Sequence, residues 1–323
     1  MKMKKITLLL SIMVIVLFTT CVPIEGVIEA PAITKTLEGM SLSDAANWIG
    51  DHAASGSNYT IILGKDESCR PINLSYKRYT NITITIKSDG NSRTVSLASV
   101  GSLFTVRSGV TLVLEDNIIL KGRNDNTSIL VVIKAEGTFV LNGGTISNNN
   151  DCGVYVDKKD SSYHSRGGKF IMMAGTISDN AIGVAVDAEG VFEMSSGTID
   201  GNTKAGIAVY EYGTFTMSGG TISNNTVGGV RVSDGGNFTM AGGTISGNTA
   251  YDGGGVYVGG AFKKTGGTIY GSDASAFLQN KATRPGSPMG HAVYASSTKK
   301  RNTTAGQTVN LDSSISGSAG GWE

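Results

Sequence analysis

The segment GTFTMSGGTISNN at residues 213–225 decides the fold, because close copies of it recur along the middle of the chain. The copies occupy residues 137–150, 168–180, 190–202, 213–225, 236–248 and 260–272. The isoleucines of their Gly-Thr-Ile units are 31, 22, 23, 23 and 24 residues apart, and an inserted loop accounts for the first interval. Self-similarity at a nearly fixed period is the signature of a repeat architecture.

Each repeat contains three short segments in which apolar and polar residues alternate. In the unit quoted above, the apolar positions are Phe215, Met217, Ile222, Val230 and Val232. Alternation with a period of two places one set of side chains inward and the other outward. Three strands and three turns in about 22–24 residues predict one coil of a right-handed parallel β-helix, since a propeller blade needs ~40 residues. The fold class is therefore all-β.

Stacked coils would align equivalent residues in columns. The predicted inward columns are Phe139, Phe170, Phe192, Phe215, Phe238 and Phe262, then Leu141, Met172, Met194, Met217 and Met240, then the six isoleucines. A polar column follows, made of Asn149, Asn180, Asn202, Asn225 and Asn248. Stacked asparagines can hydrogen-bond along the axis, so we interpret this column as structural. Lys264 and Ser272 interrupt the columns, and they predict that the regular stack ends there.

The flanking segments predict the ends of the solenoid. Residues 41–56 have the spacing of a capped amphipathic helix, which would cover the N-terminal end. Looser strand-like segments follow, and we assign residues 57–295 to the β-helix, with regular repeats over 137–272. Residues 296–323 are predicted to be a C-terminal cap or tail.

The first residues predict export. Residues 1–20 have three lysines followed by a short apolar core, which is typical of a signal peptide. Cys21 comes directly after this core, as in a bacterial lipobox, although Phe18 and Thr20 depart from the usual residues. We expect a lipid on Cys21, a linker over residues 21–40, and anchoring to the cell envelope, at the outer membrane or the cell surface.

Composition excludes several classes of protein. With 27 basic and 26 acidic residues the chain lacks the basic surface that nucleic-acid binding requires. Hydrophobic residues make up 40% of the chain, which argues against disorder. Cys69 and Cys152 have no metal-ligand spacing, and no cofactor or metal is predicted from them.

Four stretches together resemble a family of spirochaete-type repeat lipoproteins whose repeats are of the pectate-lyase-like β-helix class. They are the helix segment at 41–56, the strands over 94–106 and 109–123, the repeat units, and the C-terminal stretch over 302–323. The resemblance implies this architecture and export. It implies little about activity, since fold does not determine function.

Acidic residues offer the only candidates for catalysis or metal binding. Asp179 and Asp200 lie on successive coils, and two carboxylates at ~5–10 Å could hydrolyse a glycosidic bond. Ordinary turn residues are the alternative interpretation of both. A second acidic set follows the Val-x-Val strands: Asp157, Asp187, Glu211 and Asp234. Oxygen ligands suit Ca²⁺, but a row of solvated charges is the competing interpretation.

The outward side chains of the Val-x-Val strands are the candidate binding residues. Tyr155, Arg231 and Tyr257 would lie on one face, and Tyr163 in the inserted loop would overhang it. Aromatic side chains over a flat sheet suit sugar rings or a protein interface, although tyrosine is also simply a good strand former. The sequence therefore predicts a non-enzymatic, adhesin-like surface protein or an envelope component that binds polysaccharide or protein. A polysaccharide lyase or glycoside hydrolase is the alternative.

Overall fold

A computed structural model of the chain describes residues 32–76, 79–157, 166–286, 288–295, 300–304 and 307–310. Within these ranges there is one helix, α1 (Leu42–His52). The strands that precede the regular repeats are β1 (Thr34–Glu38), β2 (Asn58–Leu63), β3 (Glu67–Cys69), β4 (Ile72–Leu74), β5 (Ile82–Ser88), β6 (Arg93–Leu97), β7 (Phe104–Val106), β8 (Val110–Leu114), β9 (Ile118–Lys121) and β10 (Val131–Ile133).

The strands of the repeats and of the C-terminal part follow in chain order. They are β11 (Thr138–Ser147), β12 (Val154–Val156), β13 (Lys169–Ser178), β14 (Val184–Val186), β15 (Val191–Met194), β16 (Thr198–Asp200), β17 (Ile207–Val209), β18 (Thr214–Met217), β19 (Thr221–Ser223), β20 (Val230–Val232), β21 (Asn237–Met240), β22 (Thr244–Ser246), β23 (Thr249–Ala250), β24 (Val256–Val258), β25 (Ala261–Lys264), β26 (Thr268–Ile269), β27 (Lys281–Ala282), β28 (Val293–Ala295), β29 (Lys300–Thr304) and β30 (Gln307–Asn310).

The described chain winds into a parallel β-solenoid, as the repeat period predicts. Each regular coil contributes its Phe-containing and Ile-containing strands to a 17-stranded sheet, and its Val-x-Val strand to a nine-stranded sheet. Neighbouring coils pair in parallel, for example Phe192 with Phe215 and Ile207 with Val230. The pairing of β11 with β13 is interrupted by a register shift around Asn142. The antiparallel pair β29–β30 lies outside both sheets.

The interior is filled by the predicted columns of apolar side chains. The six phenylalanines are at most 3% exposed, and their rings stack at centroid distances of 4.7–5.3 Å. The methionine and isoleucine columns beside them are also buried. Because every coil covers the next, the core is continuous along the solenoid.

The asparagine column is a buried hydrogen-bonded ladder. In the four steps from Asn180 to Asn280, a backbone N–H and a side-chain Nδ2 donate to the Oδ1 of the next asparagine, as Asn202 does to Asn225 at 3.0 and 2.9 Å. Asn149 donates to Asn180 through its backbone N–H at 3.1 Å. Asn126 joins the ladder before Asn149, and Asn280 joins it after Asn248. These bonds satisfy the buried amides, as interiors require.

Among the described residues, β26 is the last strand in chain order of the 17-stranded sheet, but the solenoid continues beyond residue 272 within the predicted range of 57–295. The loop after β26 returns to the ladder at Asn280, and β28 adds a further strand to the nine-stranded sheet through its pairing with β24. Lys264 also continues the methionine column, since it pairs with Met240 and its side chain is fully buried.

The predicted helix covers the N-terminal end. Helix α1 begins after Ser41, whose hydroxyl oxygen accepts the Asp44 backbone N–H at 3.1 Å, as an N-cap does. Leu42, Ala45 and Ile49 are buried against the first strands. Residues 1–31, including Cys21, and the inserted loop over 158–165, including Tyr163, lie outside the described residues.

Candidate binding groove on the Val-x-Val face

The outer side of the nine-stranded sheet, here called the Val-x-Val face, carries one outward side chain per coil. The two residues that flank the centre of each strand, mostly valine or isoleucine, point toward the core, so the central residue points away from it. In register along the solenoid these central residues are Asn73, Thr105, Val132, Tyr155, Ala185, Ala208, Arg231, Tyr257 and Tyr294.

A groove of about 370 Å³ opens on this face above Ala208. Its lining residues are Ile182, Lys204, Ala205, Ala208, Tyr210, Val227, Arg231 and Ser233. The floor is low because Ala185 and Ala208 have small side chains, whereas the coils on either side of them carry Tyr155 and Arg231 at the same position. One wall comes from the turn after the asparagine ladder, and the opposite wall comes from the turn after the Val-x-Val strand.

Two basic side chains line the groove. Lys204 is exposed, and its counterparts in the adjoining coils are the apolar Ile182 and Val227. Arg231 is half-buried, with its Cζ 4.6 Å from the ring centroid of Tyr257. That distance is within the range of a cation–π contact. Among the residues the structure describes, neither Lys204 nor Arg231 forms an ion pair, although Asp151 and Asp187 lie within electrostatic range of the adjacent Tyr210.

Aromatic side chains continue the face on both sides of the groove. Tyr257 lies 5.5 Å from Tyr294 between ring centroids. On the other side, Tyr155 donates a hydrogen bond from its hydroxyl to Asp187. Burial and this bond raise the pKa of Tyr155, while burial and then the nearby Cys152, Asp187 and Asp151 raise that of Tyr210. Both tyrosines therefore stay neutral near pH 7.

The structure brings some of the predicted binding residues together and separates others. Arg231 and Tyr257 are in contact, whereas Tyr155 is separated from Arg231 by the two alanine coils. Sequence reasoning missed Lys204 and Tyr210. Lys204 stands between the apolar Ile182 and Val227 of the adjoining coils, which was a signal that could have identified it.

Asp179 and Asp200 come just before the asparagines of the ladder and do not line the groove. Asp179 is exposed and has a φ of +56°, and the residues equivalent to it in adjoining coils include Gly201 and Asn224, at +62° and +54°. Aspartate tolerates this left-handed conformation, which explains its occurrence there. Asp200 Oδ1 accepts hydrogen bonds from Ser223 Oγ at 2.6 Å and from Asn224 Nδ2 at 2.7 Å.

The second acidic set does not form one row. Register places Asp157 and Asp187 in the same column, but Glu211 and Asp234 come one residue later in their coils. Asp157 pairs with Lys134, and Asp187 accepts the Tyr155 hydroxyl. Across the described ranges, no three His, Cys, Asp or Glu side chains are grouped so as to hold a metal ion.

The two cysteines inside the solenoid are buried free thiols. Burial, aided by nearby acidic groups, raises the pKa of Cys69 to about 11 and that of Cys152 to about 12. A thiol held in its neutral form is a poor nucleophile. Both residues therefore fill space in the structure.

Comparison with known proteins bears on the fold. A family model described as a right handed beta helix region matches residues 159–282. A search of curated proteins found no match, and neither did a search of solved structures. The family match and the parallel solenoid together identify a right-handed β-helix repeat protein. The finer resemblance to spirochaete-type lipoproteins stays a prediction.

No helix among the described residues is both long and apolar enough to cross a bilayer.

Proposed function

We propose that this protein is an exported, lipid-anchored binding protein whose β-helix holds a ligand on the Val-x-Val face. The observation that carries the proposal is the groove above Ala208, where two alanines interrupt a row of larger outward side chains. A concave site with a few polar groups on a rigid scaffold is what ligand binding requires. The lipid on Cys21 would hold the β-helix at the membrane.

The surroundings of the groove favour binding over catalysis. The charged side chains that line it are basic, and its aromatic residue is a neutral tyrosine. Hydrolysis of a glycosidic bond would need a pair of carboxyl groups facing the substrate. Asp179 and Asp200 are not among the residues that line the groove, and the backbone conformation and hydrogen bonds account for them.

Binding at the groove is tested by filling it. Ala208→Phe puts a ring into the open space, whereas Thr216→Phe puts the same ring on an outward position of the other sheet. Both variants and the wild-type chain, purified in detergent, would be assayed against a panel of glycans and matrix proteins, with product release recorded in parallel. We expect at least one ligand to be lost from Ala208→Phe and retained by Thr216→Phe, with both melting temperatures near that of the wild type.

Two results would contradict the proposal. If every ligand binds both variants equally, the groove is not the site. If any polymer is cleaved, and the cleavage is abolished by Asp179→Asn, the enzymatic alternative is correct.

The anchor has its own test, because Cys21→Ser should stop incorporation of labelled fatty acid and release the protein from the envelope fraction.

A further inference from the structure

We infer that the ligand of the groove is an anionic glycan, whose carboxylate or sulfate groups pair with Lys204 and Arg231. This inference rests on the proposed function and names the class of ligand. Among the described residues that line the groove, the charged side chains are those of Lys204 and Arg231. An acidic group on the ligand would complement both of them.

The position of Arg231 suits an anion. Its guanidinium lies over the Tyr257 ring, so the aromatic contact restrains the side chain before any ligand binds. A guanidinium can form two parallel hydrogen bonds to a carboxylate or sulfate, which fixes orientation as well as adding energy. Lys204 on the wall supplies a second charge from an exposed position. Of the acidic side chains that act on Tyr210, Asp187 accepts the Tyr155 hydroxyl and Asp151 accepts the Cys152 backbone N–H.

The floor of the groove suits a ring better than a peptide. Strand β17, which carries Ala208, is paired with β14 on one side and β20 on the other. Its backbone groups are therefore engaged, and an extended peptide has no free edge on which to add as a strand. What the floor and walls offer is the small apolar surface of Ala205 and Ala208 beside the Tyr210 ring. The apolar face of a sugar ring packs well against such groups.

The aromatic and basic side chains extend beyond the groove in one direction. Arg231, Tyr257 and Tyr294 occupy three successive coils, which lie ~4.8 Å apart in a parallel sheet. A polymer running along the solenoid axis would meet a basic group and then two rings. This arrangement favours a chain of several sugars over a single small anion.

Three polymers with the same backbone separate charge from sugar chemistry. Unmodified dextran, carboxymethyl-dextran and dextran sulfate of equal length would be immobilised, and binding of the wild-type chain in detergent measured by surface plasmon resonance. We expect binding to the two charged polymers and none to dextran, with affinity falling as salt rises from 50 to 500 mM because the charges are screened. The charged polymer that the protein binds more tightly identifies the preferred anion.

Variants connect this binding to the groove. Lys204→Glu should weaken binding to the charged polymers by about tenfold or more, as reversal of a contacting charge does. Lys121→Glu makes the same change of charge at an exposed position on the 17-stranded sheet, and should leave affinity within about twofold. Arg231→Ala should also weaken binding, and Arg231→Lys should restore part of it. The exposed position of Lys204 keeps the test valid if Arg231→Ala fails to fold.

The outcomes distinguish this inference from the proposed function. Equal binding to dextran, no binding to either charged polymer, or equal losses in Lys204→Glu and Lys121→Glu would overturn the anionic glycan. Poly-glutamate binding as tightly as the charged dextrans would overturn it in favour of an acidic protein. In each case, the groove would still be a binding site if the substitution Ala208→Phe abolished the binding of another ligand. If no ligand responds to Ala208→Phe, both proposals fail.

Discussion

The substitution Phe215→Ala tests the stacked core most directly. Phe215 is fully buried, and its ring lies between those of Phe192 and Phe238 at 4.8 Å on either side. Emptying a buried phenylalanine site costs roughly 3–5 kcal/mol of unfolding free energy. Each stacked pair adds about 0.5–1.5 kcal/mol beyond burial. Because Phe215 loses two pairs, we expect a value near the upper end of that range.

The assay is urea denaturation followed by circular dichroism, with the change in unfolding free energy taken from the shift of the midpoint. Phe139→Ala is a graded comparison, because the residue before it in the column is Leu112 and Phe170 is its stacking partner. Because Phe139 loses one stacked pair and not two, its loss of unfolding free energy should be smaller than that of Phe215→Ala by roughly 0.5–1.5 kcal/mol. Thr216→Ala, next to Phe215 but pointing outward, should change stability by no more than about 0.5 kcal/mol. A loss below about 1 kcal/mol for Phe215→Ala, or a larger one for Thr216→Ala, would refute the inward column.

Two further predictions concern backbone contacts and ionisation. A methyl group at Gly206 would lie 2.7 Å from Asn225 Nδ2, so Gly206→Ala should lower the unfolding free energy by roughly 1–3 kcal/mol in the same assay. Gly64→Ala should not lower it, because a methyl group there would meet no atom within 4 Å. Equal effects of the two substitutions would contradict the close approach of the coils. Cys69 and Cys152 release their protons more readily in the unfolded chain than in the folded one. The unfolding free energy should therefore fall as pH rises from about 9 toward 12. Both thiols should also resist alkylation by iodoacetamide at pH 8 until urea is added. Rapid alkylation of the native protein would contradict their burial.

The binding face was partly predictable. Alternation in the Val-x-Val strands predicts that Tyr155, Arg231 and Tyr257 point outward, and the register of the sheet confirms this placement. The groove was not predictable, because its walls are turn residues. Whether Lys204 and Tyr210 lean over the strand depends on the path of two turns, which local alternation does not describe.

The sequence by itself determined the parallel β-helix, its core columns, the asparagine ladder and the capping helix. The reason is that each coil buries its apolar residues against the same residues of the next coil, so a single repeat already contains the pattern of the whole. Ser41 and the alternating apolar residues specify the cap and the strands in the same local way.

Only the tertiary structure decided what happens across insertions and between turns. Asn280 rejoins the ladder 32 residues after Asn248, and Lys264 is buried where the sequence suggested an end. The entropy of closing a loop depends weakly on its length, so spacing alone does not reveal where a chain returns to register. The groove exists for a related reason. It is formed by side chains from three coils, which meet only when those coils are stacked.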